Sequence, residues 1–325
     1  MDTGIAEIAD EVADALVSGG AVVALESTLL AHGLPAGRNL EVGRRLERIV
    51  REHGAVPATI AVLDGRPVIG LSAAELERVC DPAAGLVKLS RRDLAPARAL
   101  GRSGATTVAA TTALAYSAGV AVFATGGLGG VHRGANETWD VSADMGVLAD
   151  TPILVVCSGV KSVLDIGATL ELLETNSVPV LGYRTDFFPA FYLRESPFGV
   201  PWRVQTPAEA AAVFAAHRQS APGGAGVVLA NPVPAEYEMP AALHDRLLAD
   251  GLALLRANNI TGKDVTPALL EHFHANSDGV SLRTNTELVA ANTALAAQVA
   301  VALSSQPGNQ HSGQPGRRRA DHQHR

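Results

Sequence analysis

The chain has 325 residues, of which 47% are hydrophobic and 18% are charged, a composition typical of a globular protein with a sizeable core. Its formal net charge of −7 gives no basic surface for DNA or RNA, so we expect a small-molecule partner and no nucleic acid. The two cysteines, Cys80 and Cys157, are too few for a disulfide framework or a zinc site and are typical of a reduced core. No signal peptide or long apolar span is evident, so we expect a soluble, cytoplasmic protein without a membrane partner.

Helix and strand patterns alternate in the first part of the chain. The pattern predicts these elements: a helix with Ile5, Ile8, Val12 and Leu16 on one face, ended by Gly19-Gly20; a strand at 22–25; a helix at 38–52; a hairpin of 59–63 and 67–71 about Asp64-Gly65; a short helix opened by the capping-box residues Ser72 and Glu75; a strand at 86–89; and a helix at about 91–100.

The second part continues the alternation. After an Ala- and Thr-rich segment, we predict strands at 120–124, 153–157, 178–181 and 227–230, a helix at 162–174, and an aromatic irregular segment at 183–202. Several connections resemble crossovers, which indicates an α/β fold with a largely parallel sheet and helices on both faces. Residues 304–325, including Arg317 to Arg319, are polar, so we expect a disordered tail after a domain of residues 1–303.

The segment 125–144 combines glycine with charge. Five glycines fall within ten residues (Gly126, Gly127, Gly129, Gly130 and Gly134), and the charged or titratable residues among and after them are His132, Arg133, Glu137, Asp140 and Asp144. A plain surface connection is one interpretation. The other is a ligand loop, because glycine adopts positive φ and lets backbone N–H groups approach a ligand closely.

Three candidate groups follow or end predicted strands: Glu26, Lys88 and Lys161. The carboxyl edge of an open α/β sheet is where ligand sites form, and the glycine loop leaves the same edge. Only three of the 26 basic residues are lysines, the third being Lys263, which suggests that a primary amine is needed at some of them. We favour this for Lys161, which we place at a helix start beside an exposed Ser-Gly turn. For Lys263, chance or helix capping explains the residue equally well.

Other titratable residues allow more than one interpretation. Glu26 can cap the segment after it, or act as a general acid whose pKa burial raises. Ser142 suits the N-cap of a following helix, whereas Asp140 suits Mg²⁺ or Mn²⁺ ligation with water. His132 can be a ligand, an acid or a base. His272 and His274 lie two apart in a helix, so their side chains point to different faces and do not form a chelating pair.

Seven ordered segments carry a resemblance to a known family. They are ALESTLLAHGLP (24–35), GATTVAAT (104–111), FATGGLGGVHRG (123–134), WDVSAD (139–144), CSGVKSVLD (157–165), GYRTDFFPAFY (182–192) and ITGKDVTPALL (260–270). Over roughly residues 3–303 the chain resembles the pseudouridine-5′-phosphate glycosidases, also called pseudouridylate synthases, which share the indigoidine synthase A-like fold.

This resemblance implies a three-layer α/β/α fold, a homotrimer and a divalent metal, usually Mn²⁺, with Mg²⁺ as another possibility. The implied reaction is reversible cleavage of the C–C glycosidic bond of pseudouridine 5′-phosphate to uracil and ribose 5-phosphate. It implies the following roles: Glu26 as proton donor, Lys161 as nucleophile, Asp140 as metal ligand, and Lys88, Val108, Ser142, Ala143 and Asp144 as substrate-binding residues. We add Thr125, His132 and Asn285 as pocket residues.

Two other functions remain open from the sequence. A Rossmann-type dehydrogenase would place the glycine loop on a pyrophosphate, although GGLGGVHRG lacks the G-x-G-x-x-G spacing. A non-catalytic phosphosugar-binding protein would keep the pocket only, although intact Glu26 and Lys161 favour an enzyme. An amine nucleophile also suits the implied chemistry, because a carbon leaving group has no lone pair for the usual carboxylic acid of a glycosidase to protonate.

Overall fold

The computed structural model describes residues 6–220, 224–262 and 265–306. Within these residues the strands are β1 Glu7–Ile8, β2 Val22–Glu26, β3 Val56–Leu63, β4 Arg66–Ile69, β5 Val87–Leu89, β6 Gly104–Thr106, β7 Val122–Ala124, β8 Val131–His132, β9 Leu154–Cys157, β10 Leu164–Asp165, β11 Val180–Tyr183, β12 Trp202–Val204 and β13 Val227–Ala230.

The helices of the same residues lie between these strands or after the last of them. They are α1 Asp10–Val17, α2 Thr28–His32, α3 Arg38–Glu52, α4 Ala73–Cys80, α5 Leu94–Ala99, α6 Val108–Ser117, α7 Ala135–Thr138, α8 Ala143–Asp150, α9 Ile166–Thr175, α10 Pro207–Ser220, α11 Ala241–Ala257, α12 Val265–Asn276 and α13 Val280–Ser304, with short 3₁₀ helices at Pro82–Ala84, Arg91–Asp93 and Ala235–Tyr237.

One mixed sheet organises the chain, in the order β1-β4-β3-β2-β7-β9-β13-β11-β12, with β6 paired to β3 and β5 paired to β6. The run from β3 to β12 is parallel throughout, whereas β4 and β6 are antiparallel to β3. The central strands are buried along their length, as parallel strands covered by helices on both faces are. The predicted three-layer α/β/α architecture is therefore confirmed.

The long helix α13 is a core helix. It packs on β2, β7 and β9 and against α3 and α10, while α6 packs on β2 and β3 and against α8. By length and hydropathy α13 alone among the described helices could span a membrane, but 67% of its most apolar window is buried inside the protein. Fifteen of its residues are buried, so its apolar character serves the core.

Local signals predicted several boundaries correctly. Helix α3 has the predicted bounds, Asp64 and Gly65 have φ values of 50° and 77° at the β3–β4 hairpin, and Ser72 with Glu75 forms the capping box of α4. Cys80 and Cys157 are buried free thiols. Helix α13 ends at Ser304, one residue past the predicted domain boundary; residues 307–325 of the predicted tail lie outside the described residues.

Two predicted helices start later than the sequence pattern indicates. Ile8 lies in β1, which pairs in parallel with β4, and the helix begins only at Asp10. The predicted helix at 162–174 begins at Ile166, because Leu164 and Asp165 first pair with β8 and Asp165 then caps α9 by accepting from the Ala168 N–H at 3.0 Å. In both cases tertiary strand pairing overrides the helical period of the apolar residues.

Candidate active site

A cavity of about 430 Å³ lies where the chain leaves β2, β7 and β9, three neighbouring strands of the sheet. Ten of the eleven predicted site residues line it: Glu26, Lys88, Val108, His132, Asp140, Ser142, Ala143, Asp144, Lys161 and Asn285. Thr125 does not line the cavity. It is buried, and its hydroxyl donates a hydrogen bond to the Glu26 carboxyl. The carboxyl edge therefore holds the candidate site, as the strand pattern predicts.

Glu26 is the last residue of β2, and its carboxyl group faces this cavity. Burial raises its pKa above the ordinary value of 4.5; Lys161, the Thr125 hydrogen bond and Lys88 oppose that rise, and Asp144 adds to it. A carboxylic acid held neutral toward higher pH is suited to donating a proton. Glu26 does not cap the helix that follows it, because Ser27 occupies the N-cap position of α2.

Ser27, the residue after β2, connects this strand to β6. Its Oγ accepts a hydrogen bond from the Thr106 N–H at 2.8 Å, which joins the end of β6 to the residue after Glu26. Because β5 pairs with β6, this bond helps to bring Lys88 to the same cavity. Lys88 lies in the middle of β5, however, and β5 and β6 run opposite to β3. The prediction that Lys88 ends a strand at the common carboxyl edge is wrong, although Lys88 does line the cavity.

Lys161 lies in a tight loop between β9 and β10, not at the start of a helix as predicted. The turn before it is also buried: Ser158 is 0% exposed, and Gly159 has a φ of 78°. A Cβ atom on Gly159 would lie 1.9 Å from the Pro189 carbonyl oxygen, so the backbone passes too close for any side chain. The Lys161 N–H donates to the Leu128 carbonyl at 3.2 Å, which joins this loop to the glycine loop.

The glycine loop is buried from Thr125 to Gly130, in contrast to the surface connection that was one interpretation of its sequence, whereas residues 133–139 are mostly exposed. Among its five glycines only Gly134 has positive φ. The others stand where side chains press against the backbone; a Cβ on Gly129 would meet Ser142 Oγ at 2.2 Å, and one on Gly130 would meet Thr169 Oγ1 at 2.4 Å. Close approach, rather than unusual backbone angles, therefore explains most of the glycines.

Two helix N-termini meet the cavity. Thr107 caps α6 and Val108 is its first residue; Ser142 caps α8, as predicted, by accepting from the Asp144 N–H at 3.2 Å. Asp144 then joins the two helices, because one carboxylate oxygen accepts from the Ala109 N–H at 3.0 Å and the other from the Gly129 N–H at 2.7 Å. The backbone N–H groups and dipoles of such helix ends favour an anion.

His132, in β8, and Asp140, which precedes the isolated bridge between Val141 and Val131, form a pair. Their side chains approach to 3.8 Å between Nδ1 and a carboxylate oxygen, and the His132 N–H donates to the Asp140 carbonyl at 3.0 Å. Burial lowers the His132 pKa; the carboxylate of Asp140 acts against this, while Lys161 and Lys88 add to it. Within the described ranges no three His, Cys, Asp or Glu residues cluster as a metal centre. The donor set fits an ion that keeps most of its water, such as Mg²⁺ or Mn²⁺.

Asn285 is 1% exposed, and its Oδ1 has no hydrogen-bond partner within the described parts of the chain, although the residue lines the cavity. A buried acceptor without a partner is costly unless a ligand or water satisfies it. Lys263 lies outside the described residues. His274 bonds Ser281 Oγ at 2.8 Å and His272 contacts Asn276, so the two histidines do not converge on one site.

Sequence reasoning missed several residues that line the same cavity. They are Thr28, Leu29, His32 and Gly33 of the α2 region, Ser90 and Arg92 after β5, Phe191, and Gly262, Thr266, Pro267 and Leu270 at and before α12. The family-like segments 24–35, 182–192 and 260–270 contain most of them, but residue type alone does not distinguish a lining residue from its neighbours. Ser90 and Arg92 lie outside those segments and carry no such signal.

A known protein family matches the chain over most of its length. The profile of the family described as "Indigoidine synthase A like protein" matches residues 11–302. The chain belongs to the indigoidine synthase A-like family. A relative from Salinispora tropica named pseudouridine-5′-phosphate glycosidase is 55% identical over 295 residues, which cover 91% of each chain.

Two solved structures of the family have the same fold. The prealnumycin C-glycosynthase AlnA, in complex with ribulose 5-phosphate, matches with a TM-score of 0.85 and 38% identity, over 92% of this chain and 97% of that one. An indigoidine synthase A-like protein from Thermotoga maritima matches with a TM-score of 0.83 and 36% identity, over the same shares. The family resemblance in the sequence is thereby confirmed.

Proposed function

We propose that this protein cleaves and re-forms the C–C glycosidic bond of pseudouridine 5′-phosphate, with uracil and ribose 5-phosphate as the products. The observation that carries the proposal is the pairing of Glu26, an acid whose pKa burial raises, with Lys161, a primary amine, in one cavity. The names of the relatives and the sugar phosphate bound to the C-glycosynthase agree with this substrate class.

In the first step, the Lys161 amine attacks the anomeric carbon while the bond from that carbon to the ring oxygen breaks. Glu26 gives its proton to the departing oxygen, so the ribose opens and stays attached to both Lys161 and uracil. After the attack, the Lys161 nitrogen carries an extra proton and Glu26 is ionised. Lys161 and Glu26 interact electrostatically, so the nitrogen returns this proton to Glu26.

In the second step, the C–C bond breaks and its electron pair goes to the uracil carbon, which takes up a proton. The nitrogen lone pair of Lys161 forms the C=N bond of a Schiff base with the sugar. Water then adds to this bond and releases ribose 5-phosphate and the amine. The net reaction consumes one water, and running the same steps backwards makes the C–C bond.

The phosphate group is assigned to the side of the cavity where the N-termini of α6 and α8 meet. Val108, Ser142 and Ala143 supply helix N-terminal backbone there, and Lys88 supplies positive charge. A dianion gains both from aligned N–H groups and from a cation. On this assignment Asp144 acts through position, since backbone N–H groups already occupy both of its carboxylate oxygens.

We assign a divalent metal to Asp140, with His132 beside it. Such an ion, when bound, supplies positive charge that orients the substrate. The carboxylate of Asp140 is 32% exposed and so has room for water between it and an ion. Mn²⁺ is the expected ion and Mg²⁺ the alternative.

We also propose that the protein is a homotrimer and lies in the cytoplasm. Large apolar side chains are exposed on this chain, among them Trp139 at 86% and Trp202 at 68%, the latter on the edge strand β12. Contiguous exposed apolar patches mark interaction sites, and Trp202 on this edge strand is our candidate for a subunit contact. Light scattering should give a mass three times the 33.5 kDa of the chain, and a monomer mass would contradict this part.

The direct experiment is incubation with pseudouridine 5′-phosphate and Mn²⁺ while free uracil is measured. Release of uracil with equal ribose 5-phosphate supports the proposal. Tight binding without turnover would instead identify a non-catalytic phosphosugar-binding protein. A nicotinamide-dependent dehydrogenase is disfavoured already, because β7 leads through a buried loop to β8 and not directly into a helix.

The metal assignment has its own experiment. Asp140→Ala should lose most of the response of turnover to chelator and added Mn²⁺, while its melting temperature stays near that of the parent. Glu137→Ala, on the neighbouring helix α7 and outside the cavity lining, is the matched control. If both variants respond to Mn²⁺ as the parent does, Asp140 is not the metal ligand.

A further inference from the structure

Asn292 lies in the middle of α13 with 0% exposure, facing the residues that follow β7, β9 and β13. Its Nδ2 donates to the Thr125 carbonyl at 2.9 Å and lies 3.1 Å from Ser158 Oγ. Its Oδ1 accepts from Asn231 Nδ2 at 2.9 Å and lies 3.3 Å from the same serine hydroxyl. One amide side chain thus contacts the first residue after each of three neighbouring strands.

Two of these contacts lead to the reacting groups. Thr125, whose carbonyl Asn292 holds, donates its hydroxyl to Glu26. Ser158 begins the loop that reaches Lys161 three residues later. The loops also bond each other, through the Ser158 N–H to Gly126 and the Leu128 N–H to Gly159, both at 2.9 Å. Asn292 adds an anchor from a long core helix to this pair of connections.

The neighbouring residue on α13 shows that burial alone does not explain this arrangement. Thr293 is also 0% exposed, yet its hydroxyl has no hydrogen-bond partner among the residues described. The amide of Asn292, in contrast, uses both its donor and its acceptor ends. Buried polar groups that are fully bonded fix a unique local geometry.

We propose that Asn292 is a positioning residue, which holds the loop of Thr125 and the loop of Lys161 to one helix and so keeps Glu26 and Lys161 in their reacting arrangement. The inference rests on the proposed function, since it concerns the geometry of that reaction. Asn292 does not line the cavity, so it acts through the loops and not on the substrate.

The test compares Asn292→Leu, which keeps the volume but removes the hydrogen bonds, with Thr293→Val as the matched control. A displacement of reacting groups by about 1 Å costs on the order of 100-fold in rate. We therefore expect kcat of Asn292→Leu to fall roughly 10- to 100-fold, with KM for pseudouridine 5′-phosphate changed by less than about threefold. Thr293→Val should match the parent in both constants.

A pH profile separates positioning from general loss of stability. The Thr125 hydrogen bond lowers the pKa of Glu26, so loosening it should move the alkaline limb of kcat to higher pH in Asn292→Leu. An unchanged kcat and pH profile, or an equal fall in the two variants, would overturn the proposal. If Asn292→Leu does not fold, Ser158→Ala removes one link only, and an unchanged kcat there has the same meaning. Absence of turnover in the parent itself would instead reject the proposed function.

Discussion

Lys161 is the residue whose chemistry depends most on being a primary amine. Lys161→Arg keeps the charge and much of the length, but a guanidinium does not deprotonate and cannot form the Schiff base. We expect kcat to fall by several orders of magnitude while substrate binding is largely kept. Borohydride added during turnover should attach a ribose-phosphate mass to the peptide of Lys161 in the parent and none in the variant.

Lys88→Arg serves as the control for that substitution, because electrostatic binding of a phosphate needs charge and not a nucleophile. It should alter KM more than kcat. Substantial turnover by Lys161→Arg would reject the covalent mechanism and leave Lys161 with a purely electrostatic role.

Glu26 links catalysis to pH. Burial raises its pKa above 4.5, so between 4.5 and the raised value the folded protein binds a proton that the unfolded chain releases. The stability from this proton is present at low pH and is lost as pH rises through the raised pKa. Glu26→Gln should therefore gain melting temperature relative to the parent as pH increases, while kcat falls about 10²- to 10⁴-fold.

Glu47→Gln is the matched control for Glu26→Gln. Burial raises the pKa of Glu47 as well, and its carboxyl accepts from Thr59 Oγ1 at 2.6 Å, outside the cavity lining. It should show the same direction of change in stability with pH and an unaltered kcat. A Glu26→Gln variant that keeps full activity would exclude Glu26 as the proton donor.

At the scale of single residues, the sequence alone can identify site residues that end strands or lie in family-like segments. Glu26 and Lys161 follow or end buried apolar runs, and that position alone brings them to one edge. Asn292 and Arg92 carry no comparable signal, because their importance arises from what lies beside them in space. The contact between Asn292 and Thr125 joins residues 167 apart in the chain.

At the scale of elements, the connection from β9 to β10 is where local and tertiary preferences differ most. The spacing of apolar residues after Lys161 predicts a helix, but Leu164 and Asp165 instead pair with β8. Only the pairing partner reveals this, and it lies about thirty residues earlier. The hairpin at Asp64-Gly65 and the cap at Ser72 were predictable because each is decided within four residues.

Gly159 lies in the connection from β9 to β10, and its substitution tests how far this connection depends on close backbone packing. Gly159→Ala adds strain from its φ of 78° and a Cβ 1.9 Å from the Pro189 carbonyl oxygen, so the turn before Lys161 must move. We expect a loss of about 3 kcal/mol or more in unfolding free energy and a large fall in kcat. Gly134→Ala has nearly the same φ, 79°, but open space around the new Cβ, and should cost only about 1–2 kcal/mol. Equal losses in the two variants, measured by denaturant unfolding, would show that positive φ alone matters.

At the scale of the molecule, the layered α/β architecture results from alternating apolar periods, which is why it was predictable. The antiparallel pairing of β3 with β4 was predictable too, from its hairpin turn, but the directions of β5 and β6 were not. Whether β5 and β6 run with or against β3 depends on where the segments between them pack, and the chain between β4 and β6 gives no periodic signal for that choice. The role of α13 is likewise a tertiary property, since it passes a test of length and hydropathy for a membrane span and only its packing shows that it is a core helix.

Helix α13 also defines where the folded unit can end. It is buried through Leu303, which is 4% exposed, and the Gln306 N–H still bonds the Leu303 carbonyl at 3.3 Å. A chain ending at Gln306 keeps every one of these contacts, so its melting temperature should stay within about 2 °C of the parent and kcat should not change. A chain ending at Ala296 removes Val299, Ala300 and Leu303 from the core and should unfold at a much lower temperature. Loss of activity in the chain ending at Gln306 would show that the polar C-terminal segment contributes to the site or to assembly, and light scattering of both truncated chains would distinguish these two causes.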